Sequence, residues 1–195
     1  MNITVLLKCN MYDHVIDKNI FPSFVCSCVP QIDMMAQLEE AYDIKTHYKS
    51  EDVSNEGGYH SPKFVGTKFP TLRDTVEEFC NDLLEQKGLG LSVANIEYWC
   101  NINRCYNYNV MHSHGRSDLI GIYYIQLPPD SGNLVVMRND GSQYCDLYEN
   151  RADMLEYIIE PEAGRLYVLP GHLWHYVTGS NNEKDRISIS FNIYT

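Results

Sequence analysis

The sharpest pattern in the chain lies near its end. From position 186, Arg186, Ser188, Ser190 and Asn192 point to one side of an extended backbone, while Ile187, Ile189, Phe191 and Ile193 point to the other. A strand that buries its aliphatic face normally gives the polar face to solvent. The same alternation runs through residues 93–103, where Ile96, Tyr98, Cys100 and Ile102 alternate with Asn95, Glu97, Trp99 and Asn101. Apolar runs at 119–129, 133–137, 156–161, 165–170 and 173–177 predict further strands. Turn chemistry separates them at PPDSGN, EPEAG, PG and GSNNEKD. A short strand is expected at residues 3–7 (ITVLL). The polar gap from Arg138 to Glu156 reads as a lid or an insertion.

The front of the chain has a different texture. Residues 21–30 (FPSFVCSCVP) read as an irregular or extended connection. From Gln31 to about Lys45, Ile32, Met35, Leu38 and Tyr42 recur at helical spacing. The stretch SNEGGYHSPKF has loop chemistry, with a glycine pair and Pro62. A second helix follows Pro70, with Thr71 as its expected cap and Asp74 three residues on. Leu72, Val76, Phe79 and Leu83 form its apolar stripe, and Gly88 ends it. Helices first and then some seven short strands predict a mainly β chain, a sheet sandwich or jelly roll with the N-terminal helices packed on one side. The length fits one domain over 1–195, with a helical and loop part at 1–92 and the jelly-roll core at 93–195.

Composition narrows the function classes. A hydrophobic content of 44% supports a real core. Fifteen basic residues against 26 acidic ones give a net charge of −11, which opposes binding to nucleic acid or an anionic membrane. The seven cysteines include no C-x-x-C pair, so free thiols in a reducing, cytoplasmic compartment are expected. No signal peptide and no membrane span is expected. The partner expected is a small molecule or a protein side chain, and the oligomeric state stays open.

Chemistry concentrates in two histidine clusters. His112 and His114 are two apart, so both rings leave one face of an extended backbone; His172 and His175 follow on a later segment. Imidazole is the commonest protein ligand for iron, zinc and copper. His172 follows Pro170-Gly171 and reads as a turn residue, which favours His175. Arg186 and Ser188 come next: guanidinium geometry matches a carboxylate in two-pronged fashion, and a serine hydroxyl two residues on can donate to the same group. Standing alone, Arg186 reads better as an exposed strand charge paired with one of the 26 acids; the histidines beside it change that reading.

A histidine pair, a distal histidine, and Arg-x-Ser about ten residues later together resemble the Fe(II)/2-oxoglutarate-dependent oxygenases built on the double-stranded β-helix. The likeness is nearer still to small oxygenases of phages and marine bacteria. It is carried by SNEGGYHS (54–61), YWCNINRCYNYNVMHSH (98–114), GIYYIQLPPDSGNL (121–134), EPEAGRLYVLPGHLWHYV (160–177) and RISISFN (186–192). The resemblance implies a cupin-like jelly roll and a dioxygenase using Fe(II), 2-oxoglutarate and O2, with succinate and CO2 as co-products. His112 and His175 become metal ligands, and Arg186 with Ser188 takes the distal carboxylate of 2-oxoglutarate. Asn101 and Tyr124, on neighbouring strands, are further candidates for the cosubstrate. The pattern departs at the middle ligand, where His114 replaces the usual Asp or Glu; Asp118 is the nearest acid, but the turn at 115–117 directs it away. Three alternatives stay open: a three-histidine dioxygenase or cupin that does not use 2-oxoglutarate, a non-catalytic module with a decayed site, and a jelly-roll interaction domain.

Overall fold

A computed structural model describes residues 23–138 and 156–195. The strand predicted at 3–7 and nearly all of the 138–156 gap lie outside the described residues. Among those described are two helices, α1 (Met34–His47) and α2 (Pro70–Gln86), and eleven strands. The strands are β1 (Cys26–Cys28), β2 (Asn55–Glu56), β3 (Tyr59–His60), β4 (Asn95–Asn103), β5 (Tyr108–His112) and β6 (Leu119–Gln126), followed by β7 (Leu134–Met137), β8 (Glu156–Ile159), β9 (Leu166–Pro170), β10 (His175–Val177) and β11 (Arg186–Tyr194). They form a six-stranded sheet in the order β1-β9-β6-β11-β4-β3 and a five-stranded sheet in the order β2-β5-β10-β7-β8. Every pairing between these strands is antiparallel. The two sheets face each other as a jelly roll.

Two layers of apolar packing follow from the strand period. On the outer face of the six-stranded sheet, Ile96, Tyr98, Cys100 and Ile102 of β4 join Ile187, Ile189, Phe191 and Ile193 of β11. Against them pack Ala41 and Ile44 of α1 and Leu72, Val76, Cys80, Leu83 and Leu84 of α2. The other face of the same sheet turns toward the second sheet. There Ile120, Ile122 and Tyr124 of β6 and Tyr167 and Leu169 of β9 meet Leu134, Val136 and Ile159. The six-stranded sheet is therefore covered on both faces, and the polar face of β11 has the interior rather than solvent beside it. Asn192, Ser188 and Arg186 are all buried. No helix among the described residues is long and apolar enough to cross a membrane.

Several local expectations need correction. The connection at 21–30 holds the short edge strand β1, whose three residues pair with β9. In α1 the buried face is Gln37, Ala41 and Ile44, while Met35 and Tyr42 are exposed. Small Ala41 lets the helix approach the sheet closely, and Tyr42 turns outward to donate its hydroxyl to Asp185 at 2.9 Å. Asp33 caps α1 by accepting from the amides of Met35 and Ala36. The cap of α2 is Phe69, not Thr71. Phe69 sits in the left-handed region at φ 47, and its amide is satisfied by the Glu40 carboxylate at 2.9 Å instead of by a local side chain. On α2 Cys80 and Leu84 join the buried stripe, and Phe79 packs half-buried against it. The segment read as a loop at 54–64 contains β2 and β3, which part at Gly57-Gly58 and join different sheets. Strand β5, absent from the predicted series, pairs with β2 and β10.

Phe191 is the test of this packing. Its ring is fully buried, 5.9 Å from the Tyr98 ring, and lies over Gly121 on the adjacent strand. Phe191→Ala should lower unfolding stability by about 3–5 kcal/mol in a urea titration.

Candidate metal centre and anion pocket

His112 ends β5 and His175 begins β10, and the two residues are direct partners across the antiparallel ladder. His114 lies two residues past His112. Its amide donates to the Gly171 carbonyl at 2.8 Å, and the Gly171 amide donates to the Asp118 carbonyl at 3.0 Å. The PG turn thus holds the 114–118 segment against the end of β9. The result is three imidazoles with ring centroids 4.4 Å (His112–His175), 5.0 Å (His112–His114) and 5.2 Å (His114–His175) apart. One ligand nitrogen from each falls within 4.8 Å of the others.

Hydrogen bonds fix which nitrogen that is. The Nδ1 of His112 lies 2.7 Å from the Val110 carbonyl, and that of His175 lies 2.9 Å from the Leu173 carbonyl. A carbonyl only accepts, so both rings carry their proton on Nδ1 and leave Nε2 bare. His114 Nδ1 is 2.5 Å from Asn192 Oδ1. Three bare, converging nitrogens are the donor set a divalent transition metal requires, and they fit Fe(II) or a similar ion.

Electrostatics keep the rings neutral. Burial lowers the pKa of His112; burial and then the neighbouring rings lower that of His175 to about 3; and burial is the main cause of the fall of His114 to about 4. His114 is further fixed by Trp99, stacked on it at 5.7 Å and 17°, and Trp99 in turn stacks on His60 at 5.5 Å.

Behind the histidines the cavity ends in a cation. Arg186 is only 3% exposed, and its Nη1 donates to the Ser131 carbonyl at 2.8 Å. No carboxylate among the described residues pairs with it, and burial alone lowers its pKa despite nearby Tyr124. A buried guanidinium with no counter-ion is expensive unless an anion completes it. Ser188 stands two residues on, on the same face of β11. Tyr124, with its pKa raised by burial to about 12, keeps its phenol neutral and able to donate. Asn101 donates to Ser190 Oγ at 3.0 Å, and its buried Oδ1 has no partner. The structure thus brings all seven residues singled out from sequence (Asn101, His112, His114, Tyr124, His175, Arg186 and Ser188) into the lining of one cavity. His172 is exposed in the turn. Asp118 is turned away to accept from the Thr195 amide at 2.9 Å.

Sequence reasoning missed Trp99, Glu97 and Asn192. All three lie on the polar faces of β4 and β11, so the signal was the face itself once it is known to look inward.

A family model described as "Putative 2OG-Fe(II) oxygenase" matches residues 97–192. A search of curated protein sequences finds no match. Among solved structures, a prolyl-4-hydroxylase of Pseudomonas putida is similar at 16% identity with a TM-score of 0.61, covering 87% of this chain and 91% of its own. HygX of Streptomyces hygroscopicus, solved with nickel and 2-oxoglutarate, is similar at 11% identity and TM-score 0.57, over 87% of this chain and 82% of its own. The viral collagen prolyl hydroxylase of Paramecium Bursaria Chlorella virus-1, solved with 2-oxoglutarate, shares 10% identity and TM-score 0.56, over 87% and 94%. At these identities the neighbours establish the jelly-roll fold.

Two outcomes test the centre. A Cβ on Gly171 would sit 2.0 Å from the Ser117 carbonyl oxygen, so Gly171→Ala must push the 114–118 segment away. Divalent-metal affinity should fall at least tenfold by calorimetry while the fold survives by circular dichroism. The second outcome concerns pH. Because the folded pKa values lie below the ordinary 6.5, the unfolded chain binds more protons on the acid side. Stability of the metal-free protein should fall as pH drops below about 6.5 and go on falling until the folded values near 4 and 3 are passed. His175→Leu should flatten this slope in thermal melts, apart from the share owed to carboxylates.

Proposed function

We propose, from the match of residues 97–192 to the 2OG-Fe(II) oxygenase model, that this chain uses that family's Fe(II), 2-oxoglutarate and O2, and we assign which residues hold each and what class of substrate is oxidised. His112, His114 and His175 hold the metal through Nε2. Arg186 takes the distal carboxylate of 2-oxoglutarate, with Ser188 and Tyr124 donating to it or beside it. Asn101 faces the keto-acid end. One observation carries the reading: a buried Arg186, lacking any carboxylate partner among the described residues, shares a cavity with three neutral, converging histidines. A dicarboxylate spanning from guanidinium to metal satisfies both.

When bound, the metal and cosubstrate supply the oxidation: one oxygen atom goes to a C–H bond of the substrate to make an alcohol, the other to the keto acid, which leaves as succinate and CO2. The chain's own part is placement and exclusion of water. Arg186 orients the dicarboxylate. The apolar walls of Ile122, Leu134 and Val177 keep the inner cavity dry. Substrate approaches from an outer cleft that shares His112, His114 and Trp99 with the inner cavity and carries Lys63, Glu97 and Arg116 at its rim. This mixed-charge rim suits a small polar molecule or a protein side chain, and the net charge of −11 opposes nucleic acid. The same reading takes residues 1–195 as one oxygenase domain. A cytoplasmic setting belongs to it as well, supported by the five described cysteines all being free thiols.

A second reading has one observation in its favour, the imidazole of His114 where the resembled pattern has a carboxylate: a three-histidine dioxygenase that does not use 2-oxoglutarate. Anaerobic addition of Fe(II) and then 2-oxoglutarate to the metal-free protein decides between them. The proposal requires a visible metal-to-keto-acid charge-transfer band, weakened at least tenfold in apparent 2-oxoglutarate affinity by Arg186→Ala, and succinate formation under air. Bound iron with no band would sink it in favour of the second reading.

A further inference from the structure

The three metal-facing rings are not held alike. His112 and His175 each donate to a backbone carbonyl two residues earlier, a partner that no side-chain substitution removes. His114, the ring standing where the resembled pattern has a carboxylate, depends on a side chain, Asn192. Asn192 in turn faces Glu97 directly across the β4–β11 ladder, with its Nδ2 3.5 Å from Glu97 Oε2. That same carboxylate oxygen accepts from Tyr194 Oη at 3.0 Å and from Lys63 Nζ at 3.0 Å. Ser117 Oγ makes a long 3.5 Å contact to Asn192 Oδ1.

Donor and acceptor chemistry orders this chain in one direction. A carboxylate can only accept, so the amide nitrogen of Asn192 must face Glu97. The amide oxygen then faces His114, and an oxygen there requires a proton on His114 Nδ1. That proton leaves Nε2 bare and aimed at the other two rings. Glu97 thus sets the amide, the amide sets the tautomer, and the tautomer makes the ligand. Burial raises the Glu97 carboxyl, but the hydrogen bonds from Lys63 and Tyr194 and the charge of Lys63 outweigh it, so the group stays ionised.

We infer that Glu97 and Asn192 are positioning residues that deliver to the metal centre, through His114, the negative charge that a directly bound carboxylate would otherwise supply. The inference rests on the metal-binding role given above to the three histidines. Hydrogen-bonded partners of ligating histidines raise ligand basicity, and their loss costs 10–100-fold in metal affinity. Polarisation along linked hydrogen bonds lets the remote charge be felt at the ring.

The test uses the full chain, first without metal and then with Co(II) alone. In long-range 1H–15N spectra of the metal-free protein, His114 should be a single Nδ1–H tautomer with a strongly downfield ring proton. Glu97→Gln, whose amide can donate as well as accept, should move that proton upfield and admit the second tautomer. Asn192→Leu should abolish the preference, while His175, held by backbone, reports an intact fold in every variant. Co(II) affinity should fall 10–100-fold in Asn192→Leu, several-fold in Glu97→Gln, and match or exceed wild type in Asn192→Asp. An Nε2–H tautomer in wild type, or a Glu97→Gln protein with unchanged tautomer and unchanged affinity, overturns the inference. Wild type with the expected tautomer that fails to bind Co(II) instead overturns the metal role and leaves the Glu97–Asn192–His114 order standing.

Discussion

The structure depends on the register of β11. Its nine residues pair with β4, from Arg186 opposite Asn103 to Tyr194 opposite Asn95, and Ile187 to Ile193 pair with β6 on the other side. Because side chains alternate with a period of two, this register places Ile187, Ile189, Phe191 and Ile193 among the helices, Arg186 and Ser188 in the cavity, and Asn192 against His114. A slip of one residue would drive a guanidinium into the aliphatic layer and empty the site of its polar groups. The two helices thus serve the chemistry indirectly. They give the aliphatic face of β11 somewhere to go, and that obliges the polar face to look inward.

Burying that polar face creates the electrostatic state of the site. The three imidazoles are neutral, and Arg186 brings one positive charge into a region from which water is largely removed. In such a medium an uncompensated charge costs several kcal/mol even after relaxation. No carboxylate among the described residues pairs with Arg186, so a ligand that supplied an anion would recover this cost as binding energy and as added stability. A divalent ion at the histidines would add two positive charges, and a dicarboxylate would cancel two. One positive charge then remains where a carboxylate ligand would have balanced it. Among the described residues, Glu97 is the carboxylate that hydrogen bonds connect to the triad.

Much of this could be read from sequence because period-two alternation is strong in β4 and β11. The histidine and Arg-x-Ser spacings, together with the family resemblance, marked residues that the fold does place around one cavity. Where reading failed, the cause was a competing tertiary contact. In α1 the apolar spacing of Ile32, Met35, Leu38 and Tyr42 pointed to one face, yet Tyr42 is drawn outward by its bond to Asp185, and small Ala41 packs in its place. The α2 cap was misplaced because the helix already begins at Pro70: Phe69 takes the cap position, with its amide bonded to Glu40, 29 positions earlier. Strand β5 escaped notice because Val110 and Met111 are exposed while Asn109 is buried, an inversion of the ordinary pattern. Asn109 can be buried because Ser54 and Asn103 bond its amide. Apart from Asn103, six positions from Asn109, none of these partners is visible in a local window.

The same reasoning explains why Asn192 and Glu97 could not be singled out. Each sits on a polar face that a solvated strand would also have, and only the second sheet makes that face an interior one. Once it is interior, every polar atom on it must find a partner, and the choice of partner is constrained by what each group can donate or accept. Glu97 accepts only, so Asn192 must present nitrogen to it and oxygen to His114. The identity of the residue opposite Glu97 is therefore not free: an aliphatic side chain would leave the His114 proton unassigned. Histidine at position 114 is thereby tied to asparagine at 192 and to glutamate at 97, three positions far apart in sequence that one strand register brings into line.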